Sequence, residues 1–502
     1  MRITGSELDA RRVLMVGRDR VRVKLTSEAL RRIQAAHDVV DALAARGDPV
    51  YGVTTGLGAR VIEAVDGDRG AEFSLRTLRG RATAVGEPLP TELVRAAMVV
   101  RLNGLSTGGA GSSVSVARGL EGLLNAGVHP VIPSSGSVGA ADLCLLAHLG
   151  LALIGEGEAE LAGERLPAGL ALERAGLAPV RLGAKDGLAI CSSSAVSAGA
   201  AALALMDGEA HLAGAQVAAA LSMEALRANL SPIDPRVTAA RPAPGQAWSA
   251  DGLHRLLAGG ALTQPGAARR LQDPLSFRCV SQVHGALRFA LDQLATALAP
   301  ELRGSADNPL VLADDEQILS TGNFHVPALA LALDAVAIAV AQVAATAAAR
   351  PARLRAERVS GLPPSLVSGD PTRSGVAPLG KTAQALVLEI RHAASPLSIL
   401  SAVGADGIED DSTGATQAAL RVLDQLGRLR RLTAIELLVA AQALELRDPV
   451  SLGAGTATAY RCVRELVSPL AEDRPLGVDV ERLADAGLAQ GELVARVQAA
   501  TG

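Results

Sequence analysis

The sequence predicts an all-α protein, and two observations carry that prediction. Of 502 residues, 49% are hydrophobic but only 1% aromatic, so the apolar mass is largely Ala, Leu and Val. Beyond about residue 190, long Ala/Leu runs with helical spacing dominate. Ala and Leu favour helix, and a chain so poor in aromatics lacks much of what fills a β-sandwich. The length exceeds what one core usually holds. The change in texture divides the chain into 1–190, rich in Gly-containing loops, and 191–502, a bundle of long helices.

The first strong helix follows Thr26, a suitable N-cap, with Glu28 in its first turn. Leu30, Ile33, Ala36, Val40 and Leu43 keep helical spacing, and Gly47 ends it. "YGVTTGLGARV" from Tyr51 is a loop punctuated by Gly52, Gly56 and Gly58. After "NGLSTGGAGSSVS" a helix is expected from Val114 to Asn125, and "NAGVHPVIP" is an extended connection because of Pro130 and Pro133. "SSGSVGAADLCLLAHLG", Ser134 to Gly150, reads as a small-residue loop, an acid, then a helix. Later helices are expected over Ala195–Met223, Ser281–Leu298, Pro327–Ala349, Ala377–His392 and Ala415–Leu446. "GSADNPLVLADDEQILSTGNFH" and "SGLPPSLVSGDPTRSG" interrupt them as loops.

Composition excludes several functions. A net charge of −4 offers no basic footprint for nucleic acid. Cys144, Cys191, Cys279 and Cys462 have neither metal spacing nor a disulfide pattern, which suits a reducing cytoplasm. The N-terminus has no apolar signal core. The apolar run from Val326 carries Asp334 and Gln342, so a buried bundle helix explains it better than a membrane span. His148, His284 and His325 lack paired spacing and are expected to be structural hydrogen-bonders rather than metal ligands. Lys381 and Arg391 are expected on a solvated helix face. No Walker spacing marks a phosphate site.

Five separated motifs share one pattern: "YGVTTGLG" at Tyr51, "GSVGA" at Gly136, "LQDPLSFRCVSQVHGA" at Leu271, "SADNPLVL" with "STGNFH" between Ser305 and His325, and "RRLTAIELLVAAQALELR" at Arg430. In order and spacing they resemble the histidine/phenylalanine ammonia-lyase family over nearly the whole chain. The resemblance implies an all-α, fumarase/aspartase-like fold with long central helices, and a homotetramer whose active sites combine three chains. Family members eliminate or shift the amino group of an amino acid. They use 4-methylidene-imidazol-5-one (MIO), an electrophile cyclised from an internal Ala-Ser-Gly.

The resemblance also implies roles for individual residues. Tyr51 matches the catalytic tyrosine, a general acid or base. Arg278 matches the arginine that clamps the substrate carboxylate, which suits a bidentate guanidinium. Asn308 matches a polar site residue, Phe324 an aromatic wall, and Glu409 a glutamate that faces imidazole in histidine-specific relatives.

Other positions depart from the family. Where it has Ala-Ser-Gly before Asp-Leu, this chain reads Gly139-Ala140-Ala141-Asp142, one residue shorter and without the serine whose hydroxyl is lost. Ser134-Ser135-Gly136 has a usable composition but lies five residues early. The second tyrosine is Leu275, an asparagine becomes Ser192, the neighbouring glutamine becomes Ala195, and the side-chain selector, usually His or Phe, is Arg81. A charged group in a pocket is costly without an anion or a partner acid, so Arg81 either meets the substrate or pairs with Glu409.

The sequence therefore predicts a lyase-type enzyme that works without MIO, needs no metal, and acts by elimination, addition or cyclisation on a small amino-acid-derived carboxylate. Backbone N–H groups at the helix N-termini beside the short Gly139–Asp142 loop are expected to stabilise developing negative charge. The alternatives are a conventional histidine-type ammonia-lyase and a non-catalytic, metabolite-binding homologue.

Overall fold

The computed structural model describes residues 1–367, 369–400, 404 and 407–502, Ala59 by its backbone alone. The chain is mostly helical. It forms two compact units, each assembled from separated segments. One comprises Met1–Met206, Leu294–Asp334 and Pro396–Leu420; the other comprises Asp207–Gln293, Ala335–Ser395 and Arg421–Gly502. Where the sequence suggested a single division near residue 190, the first unit runs into the Ala195–Leu226 helix and recruits the later segments that carry Asn308 and Glu409.

Helix ends follow their capping chemistry. The helix Ser27–Arg46 begins where the Thr26 side chain accepts the Ala29 N–H at 3.2 Å and ends at Gly47, whose φ of 74° closes the last turn. The expected long helices appear as Ala195–Leu226, Val280–Arg303, Pro327–Leu354, Leu379–His392 and Ala415–Glu445. Two of the helices among the described residues are long and apolar enough to cross a membrane; the apolar window of Asp186–Leu226 is 100% buried in the structure and that of Pro327–Leu354 56%.

In the first unit a cluster of Ala36, Val39, Val40, Leu43, Val50, Val53 and Val311 packs the Ser27–Arg46 helix under the Tyr51 loop. Burial of Val50 and Val53 on either side of Tyr51 anchors that loop by its apolar residues. The helix Gly70–Arg81 packs on Leu143–Leu153 and Asp186–Cys191. Short strands that the sequence reading missed pair here: Val85–Pro88 with Pro133–Ser135, and Leu310–Leu312 with Gln317–Leu319, the latter inside a segment read as loop. Strands of three or four residues are too short to display alternation.

In the second unit, Arg350 and Glu436 form a fully buried ion pair at 2.5 Å, and Glu436 also accepts from Ser222 at 2.8 Å. Arg350 donates to the Ser276 carbonyl at 3.2 Å and so fixes the short helix Leu275–Arg278. The exposed helix face expected for Lys381 and Arg391 is observed.

Candidate active site

A cavity of about 420 Å³ in the first unit gathers residues from seven separated stretches of chain. Tyr51, Arg81 and Glu409 line it, with Ser192, Asn308 and Phe324. Ala140 and Ala141 contribute the degenerate loop, and Leu143 and Leu188 supply apolar wall. Arg60, Leu57, Gly58 and Ile408 also line it and were not singled out from the sequence. Arg60 ends the Gly-rich loop, and its spacing from Tyr51 gave no signal of convergence. Leu275 and Arg278 belong to the second unit and do not line this cavity. Leu275 is 62% exposed, and the buried Arg278 Nε has no hydrogen-bond partner among the described residues.

Each wall is held from behind. The Tyr51 hydroxyl oxygen accepts the Gly58 N–H at 3.0 Å, so the tyrosine and the turn Gly58–Arg60 are positioned together. The Asn308 carboxamide oxygen accepts the Thr321 N–H at 2.9 Å. Phe324 is placed by its carbonyl, which accepts from Ser194 at 2.6 Å. A buried pair, Arg101 and Asp307 at 2.6 Å with each side chain 1% exposed, stands directly before Asn308. Arg101 also donates to the Ala189 carbonyl at 2.8 Å, which fixes the end of the helix that delivers Ser192.

The degenerate loop is a tight turn built on Asp142. Its fully buried carboxylate accepts from Ser137 (2.9 Å), Thr416 (2.7 Å), the Ser197 hydroxyl (3.0 Å) and the N–H groups of Val196 and Ser197 (both 2.9 Å). Burial raises the Asp142 pKa, and these hydrogen bonds oppose the rise. At the start of the Ala195–Leu226 helix, the N–H groups of Val196 and Ser197 are thus occupied by Asp142. Gly139 has φ +84°, and a Cβ there would fall 2.3 Å from the Thr413 hydroxyl, so only glycine fits. Ala141 occupies left-handed space at φ +60°.

These residues do not fit MIO. Ala140 and Ala141 line the cavity and carry no hydroxyl that could be eliminated. The Asp142 N–H, a possible attacking nitrogen, is bonded to the Ser193 carbonyl at 2.8 Å. Ser134 and Ser135, in the tripeptide with usable composition, lie in the strand Pro133–Ser135 paired with Val85–Pro88 and do not line the cavity.

Arg81 ends the helix Gly70–Arg81 and is half-buried. Among the described residues neither Arg81 nor Glu409 has an ion-pair partner, although both line one cavity. Of the two readings left open from sequence, pairing between them is not observed. The positive charge of Arg81 opposes the burial that pushes the Cys191 thiol up to about 12. The histidines divide. His325 Nε2 lies 3.1 Å from Asp411, whereas His284 is completely buried and neither ring nitrogen has a hydrogen-bond partner among the described residues, contrary to a hydrogen-bonding role. No cluster of three or more His, Cys, Asp or Glu suited to a metal occurs among the described residues.

The family model for aromatic amino acid lyases matches residues 8–465. The chain belongs to the aromatic amino acid lyase family. A histidine ammonia-lyase from Symbiobacterium thermophilum is 41% identical over 499 residues, covering 99% of this chain and 98% of that protein. Among solved structures, the ergothioneine-degrading enzyme ergothionase from Treponema denticola, in complex with desmethyl-ergothioneine sulfonic acid, is similar with a TM-score of 0.93 at 31% identity. That match covers 98% of this chain and 99% of the other. The tyrosine aminomutase from Streptomyces globisporus superposes with a TM-score of 0.95 at 30% identity, over 100% of this chain and 98% of that one. This aromatic amino acid lyase thus shares its fold with enzymes of differing reactions, and its own chemistry must be read from its site.

Proposed function

We propose that this family member is a carbon–heteroatom lyase that performs β-elimination without MIO on a small amino-acid-derived carboxylate. The observation that supports it is a cavity that joins Tyr51 and Glu409 to a loop of Ala140 and Ala141, neither of which has a hydroxyl to lose. Tyr51, as its phenolate, takes the proton from the β-carbon; the electrons of that C–H bond form the C=C bond, and the Cα–heteroatom bond breaks with its pair leaving on the heteroatom. The Gly58 N–H stands 3.0 Å from the Tyr51 oxygen, the atom whose charge changes in that transfer. Without an electrophile to activate an amine, the substrate carries a leaving group better than ammonia or a more acidic β-proton. The likeness to an ergothioneine-degrading enzyme supports a substituted amino acid over a free one.

In this reading Arg278 clamps the substrate carboxylate as part of a site completed by other copies in a homotetramer. Ser192, Asn308 and Phe324 shape the pocket, and Leu275 stands where relatives place a second tyrosine. The four cysteines are free thiols, which supports a cytoplasmic setting.

A second reading, a conventional histidine ammonia-lyase, is favoured by the 41% identity to an enzyme of that name and by Glu409 in the cavity. Intact mass separates the two. We expect the mass of the unmodified chain, together with turnover of a histidine derivative bearing a substituted amino group, followed as growth of the absorbance of an α,β-unsaturated acid. A chain lighter by two waters that turns over free histidine would sink the MIO-less proposal.

A further inference from the structure

The reaction cavity does not end at Arg81. A second chamber of about 460 Å³ adjoins it and shares Leu57, Arg60 and Arg81 with it. Its far wall comes from the helix Gly70–Arg81, which supplies Phe73 and Thr77. A chamber of this size by itself falls within the range occupied by small ligands. An imidazole or phenyl side chain seated against Tyr51 and Glu409 would leave it unfilled.

Its charges are unevenly matched. Among the described residues, four arginines (Arg60, Arg69, Arg76, Arg81) and two glutamates (Glu63, Glu72) line the chamber. Glu72 engages Arg69 at 2.9 Å and also Arg76, so those three form one bridged group. Glu63, Arg60 and Arg81 remain, none with an ion pair or a side-chain hydrogen bond among the described residues, and the two arginines give this remainder one net positive charge. The arginines stand where the two chambers meet. Arg81 is half-buried and Arg60 exposed. The Arg81 guanidinium loses hydration without gaining a partner, a cost removed by an anion that its fork can grip in bidentate fashion, and Arg60 adds a second positive charge beside it.

Resting on the elimination reading above, we propose that the substrate is longer than a simple amino acid and carries a distal anionic group, a carboxylate or its equivalent, held by Arg81 and Arg60 where the two chambers meet. Glu409 and Phe324 then flank the middle of the substrate, and the reacting carbons lie beside Tyr51. Arg81 is in this account a specificity residue: it selects the far end of the molecule and takes no part in proton transfer.

The test is equilibrium binding of two product-shaped acids that differ only in the distal anion, cinnamate and 4-carboxycinnamate, to the full-length protein. Wild type is expected to bind 4-carboxycinnamate about tenfold more tightly, a preference that shrinks as salt is raised. Arg81→Gln removes the preference while cinnamate affinity stays within about twofold, Arg81→Lys restores part of it, and Arg60→Gln weakens it. Equal affinity of wild type for the two acids overturns the distal-anion proposal and leaves the elimination reading standing. Loss of both acids in Arg81→Gln, with an unchanged melting temperature, also overturns it, because Arg81 would then shape the whole cavity. If folded wild type binds neither acid, this proposal fails, while the elimination reading stands or falls on the turnover and mass test above.

Discussion

Ala141 holds φ +60°, a conformation that disfavours any residue with a Cβ, in the loop where the family resemblance implies a cyclising tripeptide and this chain is one residue shorter. Left-handed conformation costs a non-glycine residue roughly 1–2 kcal/mol, partly offset by the smaller entropy of unfolded alanine. Ala141→Gly should therefore raise stability by up to about 1 kcal/mol, read as a higher urea midpoint with unchanged slope. A lower midpoint would mean that the alanine methyl contributes packing that outweighs the strain. At this scale the sequence was most legible where chemistry is local. The missing hydroxyl at 140–141 and the glycine at 139 are both apparent in the one-dimensional string. Arg60 was not, because its role depends on a turn that closes only through the Tyr51–Gly58 hydrogen bond.

Elements bring these residues together, and the one between Ser305 and His325 illustrates what sequence patterns conceal. Its acidic, turn-rich composition read as loop, yet Leu310–Leu312 and Gln317–Leu319 pair as a hairpin, and the segment presents Asn308 and Phe324 to the cavity. Long helices were legible to within a few residues because caps and periodicity are local. This hairpin was not, because its placement depends on Asp307 meeting Arg101, 206 residues away in the chain. That pair is inaccessible to water, and Arg101 also holds the Ala189 carbonyl. Removing one member of a buried pair leaves the other charged and unmatched, at a cost of about 3–5 kcal/mol. Asp307→Ala should lower stability by that order and, in whatever protein still folds, weaken ligand binding by releasing Asn308. A melting curve and a binding isotherm on the same preparation check both effects. A stability loss with no change in affinity would show that Asn308 is positioned by Thr321 alone.

At the scale of the whole molecule, two consequences follow from groups distant from the cavity. His284, buried among apolar neighbours and near the cationic Arg350, has its pKa lowered from 6.5 to about 3. The folded protein keeps this imidazole neutral while the unfolded chain protonates it below pH 6.5, so its contribution is intact above that pH and is lost as pH falls toward 3. Wild type should thus lose melting temperature between pH 6 and pH 4 more steeply than His284→Met, as followed by calorimetry; parallel slopes would exclude the histidine as a source of acid lability. The second consequence concerns assembly. Arg278, the residue that the family resemblance assigns to the substrate carboxylate, does not line the cavity that holds Tyr51. If another copy supplies it, Tyr51→Phe and Arg278→Ala chains, each inactive alone, should complement when co-expressed. Some sites would then join an intact tyrosine from one chain to an intact arginine from another. Random mixing in equal amounts returns about a quarter of wild-type activity, since each site draws its residues independently from a symmetric assembly. Absence of recovery in verified mixed oligomers would place both residues in sites served by a single chain, and the shared-site proposal would fall.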